Sequence, residues 1–511
     1  MKSRDRLQAA LLLLGLAMAA PVWSATWLPL MDLPQHLAAI AVLHRHGDAA
    51  TLFPTHFALA LGTTQYLAYY LAVDALAYLL PLEVANRVVL TLAVAAFPLA
   101  ARALLRALGR DERLAVFAAP LAWSPQLLLG FLNYEAALPL LLWTLARSAR
   151  IADAPGSRRE AAGLGALGLA LFYTHLLAYL FALCGAALLG LRGGTREGTL
   201  GERVRASPKA LAWLGAGFTP SLIALGVWLA RTPASDPGQA SGGVGATVRP
   251  QWATTGDLLA RLPSQLLDLY PDGSGHLLLA ALAACALWAA WPDPARAPDA
   301  KATRGAGALA GLAAGALVAY LVLPESYGWV WPFCERFAVV AALFLPMLAR
   351  PLPGWRGRAP LAAAAVVALA TSWTAVRHFR AFSAEADGFG ELLARAAPAK
   401  KLVALVSDRG SPEVRFSPFL HFGSYYQARS GGIATFSFAD FPQSPIRYLD
   451  ADRPPRLPPR WEWTPERFRP DAEGRYYDYG LVRGPVDPFA RATGWRLATR
   501  EGRWLLYERT P

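Results

Sequence analysis

Charge is scarce in this chain of 511 residues: Asp, Glu, Lys and Arg make up 17%, against 55% hydrophobic residues. A soluble multidomain protein needs more polar surface than that, so the composition excludes one and reads as a polytopic membrane protein. Cysteine is nearly absent. Cys184, Cys285 and Cys334 lie in or beside apolar runs and the polar C-terminal region has none, which excludes a disulfide framework and a thiolate metal site. Also missing are a glycine-rich phosphate loop, a nucleophile elbow and an internal repeat. The net charge of +13 does not point to nucleic acid, because the basic residues are scattered between apolar runs instead of gathered on one surface.

Long apolar runs, by contrast, are plentiful. Those near residues 7–29, 88–105, 114–130, 136–148, 161–173, 176–191, 210–230, 276–292, 305–323, 337–349 and 359–376 give about eleven candidate transmembrane helices. Helices are the spanning form to expect, since open strand edges would leave backbone groups unsatisfied in lipid. The N-terminal residues have signal-peptide features, with a basic start, an apolar core and small residues. Because the run continues through Trp27 and Leu30, long enough to cross a ~30 Å layer, a retained helix is the favoured reading.

Lys and Arg crowd alternate connections: "MKSRDR", "RALLRALGRDER", "RSARIADAPGSRR", "LRGGTREGTLGERVRASPK", "PARAPDAKATR" and "RPLPGWRGR". The positive-inside rule makes these cytoplasmic, and sets Asp32, Glu135, His175, Asp268 and Arg336 on the other side. That alternation holds if "QYLAYYLAVDALAYLL" (65–80) stays juxtamembrane, and if the run from 161 to 191 goes out and back with its turn at Thr174 and His175. Two helices that short place the turn inside the far leaflet, where a protein-lined, wet cavity is needed. From about Ser383 the texture changes. "GELLARAAPAKKLVALVSDRG" reads as a helix leading into a buried strand, "IATFSF" and "YYDYGLVRG" as strands, and "WRLATREGRWLLYER" as a hairpin turning at "REG". The proline-rich "ADRPPRLPPRWEWTP" reads as a surface loop. The expected organisation is therefore a helical membrane domain over 1–380, with a first outer loop at 30–87, and a small extracytoplasmic α/β domain over 381–511.

Ionisable residues beside the spans are the candidate chemistry, since a charge at that depth is costly without a partner or a task. In "WLPLMDLPQHLAAI" Asp32 precedes Pro34 and Gln35, as a helix N-cap would, and His36 follows one turn on. The alternatives are a structural cap, a catalytic carboxylate, or a divalent metal held by Asp32 and His36. No third ligand is obvious, and no other cofactor is implied. Glu135, after Asn133 and Tyr134, either favours the positive end of its own helix or serves a site. His175 is either a hydrogen-bonded structural group or a ligand. Arg336, beside Glu335, is either an interfacial anchor in a belt with Trp329 and Trp331 or a bidentate phosphate clamp.

The order of these features resembles the GT-C glycosyltransferases, the membrane superfamily that includes protein mannosyltransferases, lipid A aminoarabinose transferases and oligosaccharyltransferase catalytic subunits. Asp32 matches the acid of their first outer loop, with "QYLAYYLAVDALAYLLPLEVANRVVL" as the juxtamembrane helices that follow. "ARALLRALGRDER" is similar to their basic cytoplasmic turn. Ser124, Pro125 and Glu135 match a span ending in "SP" with an acid after it, and Arg336, Phe337 and Pro346 a later "RY" and "P". The likeness covers roughly residues 1–380. It departs where many relatives have two adjacent acids, since Leu33 follows Asp32.

The resemblance implies an integral protein of a bacterial inner membrane, N-terminus cytoplasmic, that transfers a sugar with inversion from a polyprenyl-phosphate donor to a glycan, lipid or protein acceptor on the far face. Asp32 and Glu135 would be catalytic, Arg336 and His175 would hold the donor phosphate, and membrane lipids, not nucleic acid, would be the other partners. A lipid transporter or flippase and an inactive GT-C-like assembly factor are the alternatives. Against transport, the chain lacks paired discontinuous helices in two related halves.

Overall fold

Apolar sequence and helix coincide over most of the chain. The computed structural model describes residues 3–191, 200–231, 250–292, 300–327, 330–449, 453–455 and 461–510. Trp329, the basic stretches at 192–199 and 293–299 and residues 451, 452 and 456–460 of the proline-rich stretch lie outside these. The helices include α1 (Ser3–Met18), α2 (Leu33–His44), α3 (Ala68–Ala77), α4 (Leu82–Ala107), α5 (Leu132–Asp153), α6 (Arg158–Thr174), α7 (Leu176–Leu191), α8 (Leu200–Arg231), α9 (Ser274–Ala289), α10 (Ala300–Val322), α11 (Arg336–Phe344), α12 (Trp355–Glu385), α13 (Phe389–Ala394) and α14 (Ser424–Ser430), with further short ones at Ala20–Trp23, Phe53–His56 and Thr255–Arg261. Among the described residues four stretches are long and apolar enough to cross a membrane: Leu82–Ala107, Ser207–Arg231, Gly305–Val322 and Trp355–Glu385. Their outward faces carry exposed Leu92, Ile223, Leu229, Val318 and Val366. Water would not tolerate such rows on a monomer, but lipid would, so this is an integral membrane protein. The segment at 65–80 contains only the ten-residue α3, which rises about 15 Å and is too short to cross.

The run at 114–130 departs from the expected spanning helix. Proline at 120 and 125 removes backbone donors, and the chain instead makes 3₁₀ turns at Glu112–Ala118 and Pro120–Ala122, then one helical turn at Pro125–Leu128. Every residue from 114 to 130 is buried, the condition under which irregular backbone is tolerated at membrane depth. Pro21 has a similar consequence for α1. It cannot donate to Ala17, whose carbonyl instead accepts from the Ser372 hydroxyl at 2.7 Å, while the indole of Trp123 donates to the Met18 carbonyl at 2.8 Å.

The C-terminal region contains the strands and the final hairpin expected from sequence. Strands β2 (Lys401–Val406), β3 (Ile433–Thr435), β5 (Tyr479–Arg483), β6 (Trp495–Glu501) and β7 (Trp504–Arg509) form one sheet in the order β3-β2-β5-β7-β6. Strand β2 runs parallel to β3 and β5, and the β6–β7 hairpin adds antiparallel to β5. The sheet does not stand apart from the helices. In the first loop β1 (Phe57–Leu59) pairs antiparallel with β4 (Ile446–Tyr448), and Trp27 packs edge-on against Phe389 and Tyr425 with ring centroids 5.2 and 4.8 Å away. Aromatic contacts of this kind contribute roughly 0.5 to 1.5 kcal/mol each beyond their burial. They press the sheet region onto the first loop, which decides the composition of the site.

Candidate active site

Asp32 stands at the start of α2, with the fold closed tightly beneath it. Its backbone N–H donates to Leu129 O at 3.1 Å, and that of Met31 to Leu128 O at 2.9 Å, so the first loop is stitched to the irregular 114–130 segment. Gly130, at φ +88°, makes the contact possible: a Cβ there would lie 2.5 Å from the Asp32 nitrogen. The capping alternative for Asp32 is not what the structure shows. Its backbone is already helical and its carboxylate makes no cap hydrogen bond. Gln35, the other half of the expected capping box, instead reaches the sheet region, donating to Ser424 Oγ at 2.8 Å and Phe436 O at 2.7 Å and accepting from Phe438 N–H at 3.1 Å.

The Asp32 carboxylate lines a cavity of about 180 Å³ together with His36, Tyr66, Tyr70, Asn133, Tyr134, His175, Trp331 and Arg336, roofed by Phe438, Phe441 and Gln443. Four of the five site residues expected from sequence therefore meet at one place. Glu135 does not join them. It is buried at the start of α5 with one carboxylate oxygen accepting from the Ser124 hydroxyl, and it is absent from the cavity wall. The turn at Gly130–Phe131 presents Phe131, Asn133 and Tyr134 to the cavity, whereas Glu135, expected to be catalytic, stands behind them.

Arg336 and His175 form a pair. Arg336 donates through Nε to Pro332 O at 2.8 Å and through Nη1 to His175 Nε2 at 3.0 Å, and its guanidinium lies 4.6 Å from the centroid of Phe131. Because guanidinium only donates, Nε2 of His175 must accept, which puts the ring proton on Nδ1. That Nδ1 is buried with no hydrogen-bond partner among the described residues. Tyr134 holds the same helix end by donating its hydroxyl to Arg336 O.

His36 is fully engaged. Its Nε2 lies 2.9 Å from Gly130 O and so donates, leaving Nδ1 to accept from the Tyr70 hydroxyl at 2.7 Å. Burial, only partly offset by the Asp32 charge, lowers its pKa to about 4, so the ring is neutral at pH 7. With both nitrogens committed, His36 has no lone pair for a cation. Among the described residues no group of three or more His, Cys, Asp or Glu is placed to hold a metal. The metal alternative does not fit these residues.

One residue of the site was not legible in sequence. His421, from the loop before α14, brings Nδ1 to 3.0 Å from Asp32 Oδ1, stacked on Phe436 at 5.2 Å between centroids. The geometry is a close electrostatic contact without a well-aligned hydrogen bond, and both ring nitrogens lack hydrogen-bond partners. No local pattern in "SPFLHFGSYY" marks this histidine; only the docking of the sheet region brings it to Asp32.

The fold is thus a helical bundle with an acid in its first loop, a broken buried segment behind that acid, an arginine at the start of a late helix and a docked C-terminal sheet. Among solved structures the chain is similar to ArnT from Cupriavidus metallidurans bound to undecaprenyl phosphate. The TM-score is 0.59, with 12% identity over 98% of this chain and 97% of that one. The apo state of the same protein gives 0.56, with 13% identity over 98% of each chain. At that identity the likeness is one of fold. No family model matches the sequence, nor does any protein of curated function.

Proposed function

We propose that this protein is a membrane glycosyltransferase that takes a sugar from a polyprenyl-phosphate donor and passes it, with inversion, to an acceptor hydroxyl on the extracytoplasmic side of a bacterial inner membrane. The observation that carries this reading is the placement of one carboxylate, Asp32, and one guanidinium, Arg336, on the wall of the same small cavity. The fold shared with an undecaprenyl-phosphate-bound ArnT supports a lipid-phosphate donor. In this reading the eleven apolar segments all cross, the buried irregular one at 114–130 included, and the sheet region at 381–511 faces the extracytoplasmic side with Asp32.

Each residue then has one task. Asp32 accepts the proton of the acceptor hydroxyl as its oxygen attacks the anomeric carbon; a positioned base of this kind typically contributes 10² to 10⁴ in rate. As the bond from the anomeric carbon to phosphate oxygen breaks, negative charge gathers on the lipid phosphate. Arg336, fixed by Pro332 and His175, is the donor preorganised for it, and His175, whose buried Nδ1–H has no partner among the described residues, is the second. His36 acts as a neutral strut between Tyr70 and the Gly130 carbonyl. Glu135 is structural.

Purified protein given radiolabelled polyprenyl-phosphate sugars tests the reading. Release of free lipid phosphate that Arg336→Ala abolishes would support it. Movement of intact donor across a vesicle membrane without cleavage would make the protein a flippase, and neither outcome would make it an assembly factor.

A further inference from the structure

At the opposite end of the bundle a second cavity, of about 910 Å³, opens between α1, α4, α5 and α6. It lies about 18 Å along α5 from Glu135, counted at 1.5 Å per residue to Arg147, and so is separate from the Asp32 site. Five arginines line it: Arg102, Arg106, Arg147, Arg150 and Arg159. Their neutralisation is incomplete. Arg102 pairs with Glu112 at 2.8 Å, while Glu160 alone serves both Arg147, at 3.4 Å, and Arg150, at 3.1 Å. Among the described residues Arg106 and Arg159 make no ion pair, and the Nε of Arg147 is buried without a partner. The wall between these charges is apolar, formed by Leu99, Ala103 and Trp143.

Guanidinium groups crowded together repel unless an anion is shared among them, and their planar fork matches phosphate oxygens. A cavity with a cationic mouth and an apolar wall is suited to an amphiphile with a phosphate head. Its flank is membrane-facing, since Leu12, Leu13 and Leu16 of α1 are exposed. We propose that this cavity binds the phosphate head group of an anionic phospholipid, with an acyl chain laid against Leu99 and Trp143. Basic pockets between helices at a membrane surface commonly recognise lipid head groups through this chemistry.

Native mass spectrometry of the full chain, released from vesicles of phosphatidylglycerol, cardiolipin and phosphatidylcholine, tests the site. An anionic lipid should be retained about tenfold more than phosphatidylcholine. The double variant Arg106→Gln/Arg159→Gln, which breaks no ion pair among the described residues, should lower that retention about tenfold. Arg356→Gln, an exposed arginine in the first turn of α12 outside this cavity, should not. Equal retention of anionic and zwitterionic lipid, or an equal loss in Arg356→Gln, would overturn the proposal. So would displacement of the bound lipid by equimolar glycerol phosphate, which would make the cavity a site for soluble phosphates.

Discussion

His421 Nδ1 lies 3.0 Å from Asp32 Oδ1, although one belongs to the sheet region and the other to the first loop. The proposed base is thus positioned across the junction of the two parts of the protein. Asp32→Asn should reduce transfer at least about a hundredfold. Because the Asp32 side chain makes no cap bond, neither Asp32→Asn nor Asp32→Ala should unravel α2. His421→Ala, which frees the carboxylate to shift, should lower kcat about 10- to 100-fold while the KM for the lipid donor changes little. Thermal unfolding measured beside sugar transfer separates the cases: normal transfer by Asp32→Asn would remove Asp32 from the chemistry.

Arg336 is held by two donated bonds and an aromatic face. Its loss should cost about 3 to 4 kcal/mol of transition-state stabilisation, seen as a fall of two to three orders of magnitude in kcat. Arg336→Lys should restore only part, since an ammonium cannot reproduce the planar fork. Single-turnover release of lipid phosphate is the measurement, and full activity in Arg336→Ala would leave this residue an interfacial anchor.

Gly130→Ala places a methyl group against Asp32 at a left-handed backbone position. The strain should cost about 1 to 3 kcal/mol, and the displaced carboxylate should lower transfer more than stability alone explains. An alanine variant with wild-type melting temperature and transfer would show that the close approach is dispensable.

The neutral, buried His36 makes stability depend on pH. Its folded pKa, near 4, lies below the ordinary 6.5, so between these values the unfolded chain binds more protons and stability falls as pH falls. The loss should approach about 3 kcal/mol at pH 4 and change little above pH 6.5. Melting temperatures from pH 7 to 4.5 should therefore decline less steeply in His36→Gln than in the wild type. Parallel declines would assign the acid sensitivity to other groups.

Membrane orientation is open to labelling. A cysteine replacing exposed Thr493, in the β6 approach, should react with an impermeant maleimide in intact spheroplasts, whereas one replacing Arg356 should react only after permeabilisation. The opposite pattern would put Asp32 in the cytoplasm.

Much of the architecture was legible because its causes are local. Most apolar runs became helices, α4, α5, α8 and α12 even across an internal proline, α6 and α7 turn at Thr174 and His175, and the final hairpin turns at Gly502. Composition and loop charge sufficed for these features, since burial in lipid or in a sheet is decided residue by residue along the segment. Position at the ends of spans likewise picked out Asp32, His36, His175 and Arg336, because an ionisable group near lipid must have either a partner or a task.

What only the tertiary structure decided depends on groups far apart in sequence. Hydropathy makes 114–130 a helix, yet enclosure by protein lets its prolines break it into turns. The local pattern makes Asp32 and Gln35 a capping box, yet the docked sheet region takes the Gln35 amide and sets His421 beside the Asp32 carboxylate. Glu135 stands two residues from Asn133 in sequence but turns to Ser124, away from the cavity, because α5 presents a different face there. Sequence determined which residues must be buried near the membrane surface, through the cost of desolvating them. Which of them face one another is a property of packing, and packing partners carry no signature in either partner's own neighbourhood.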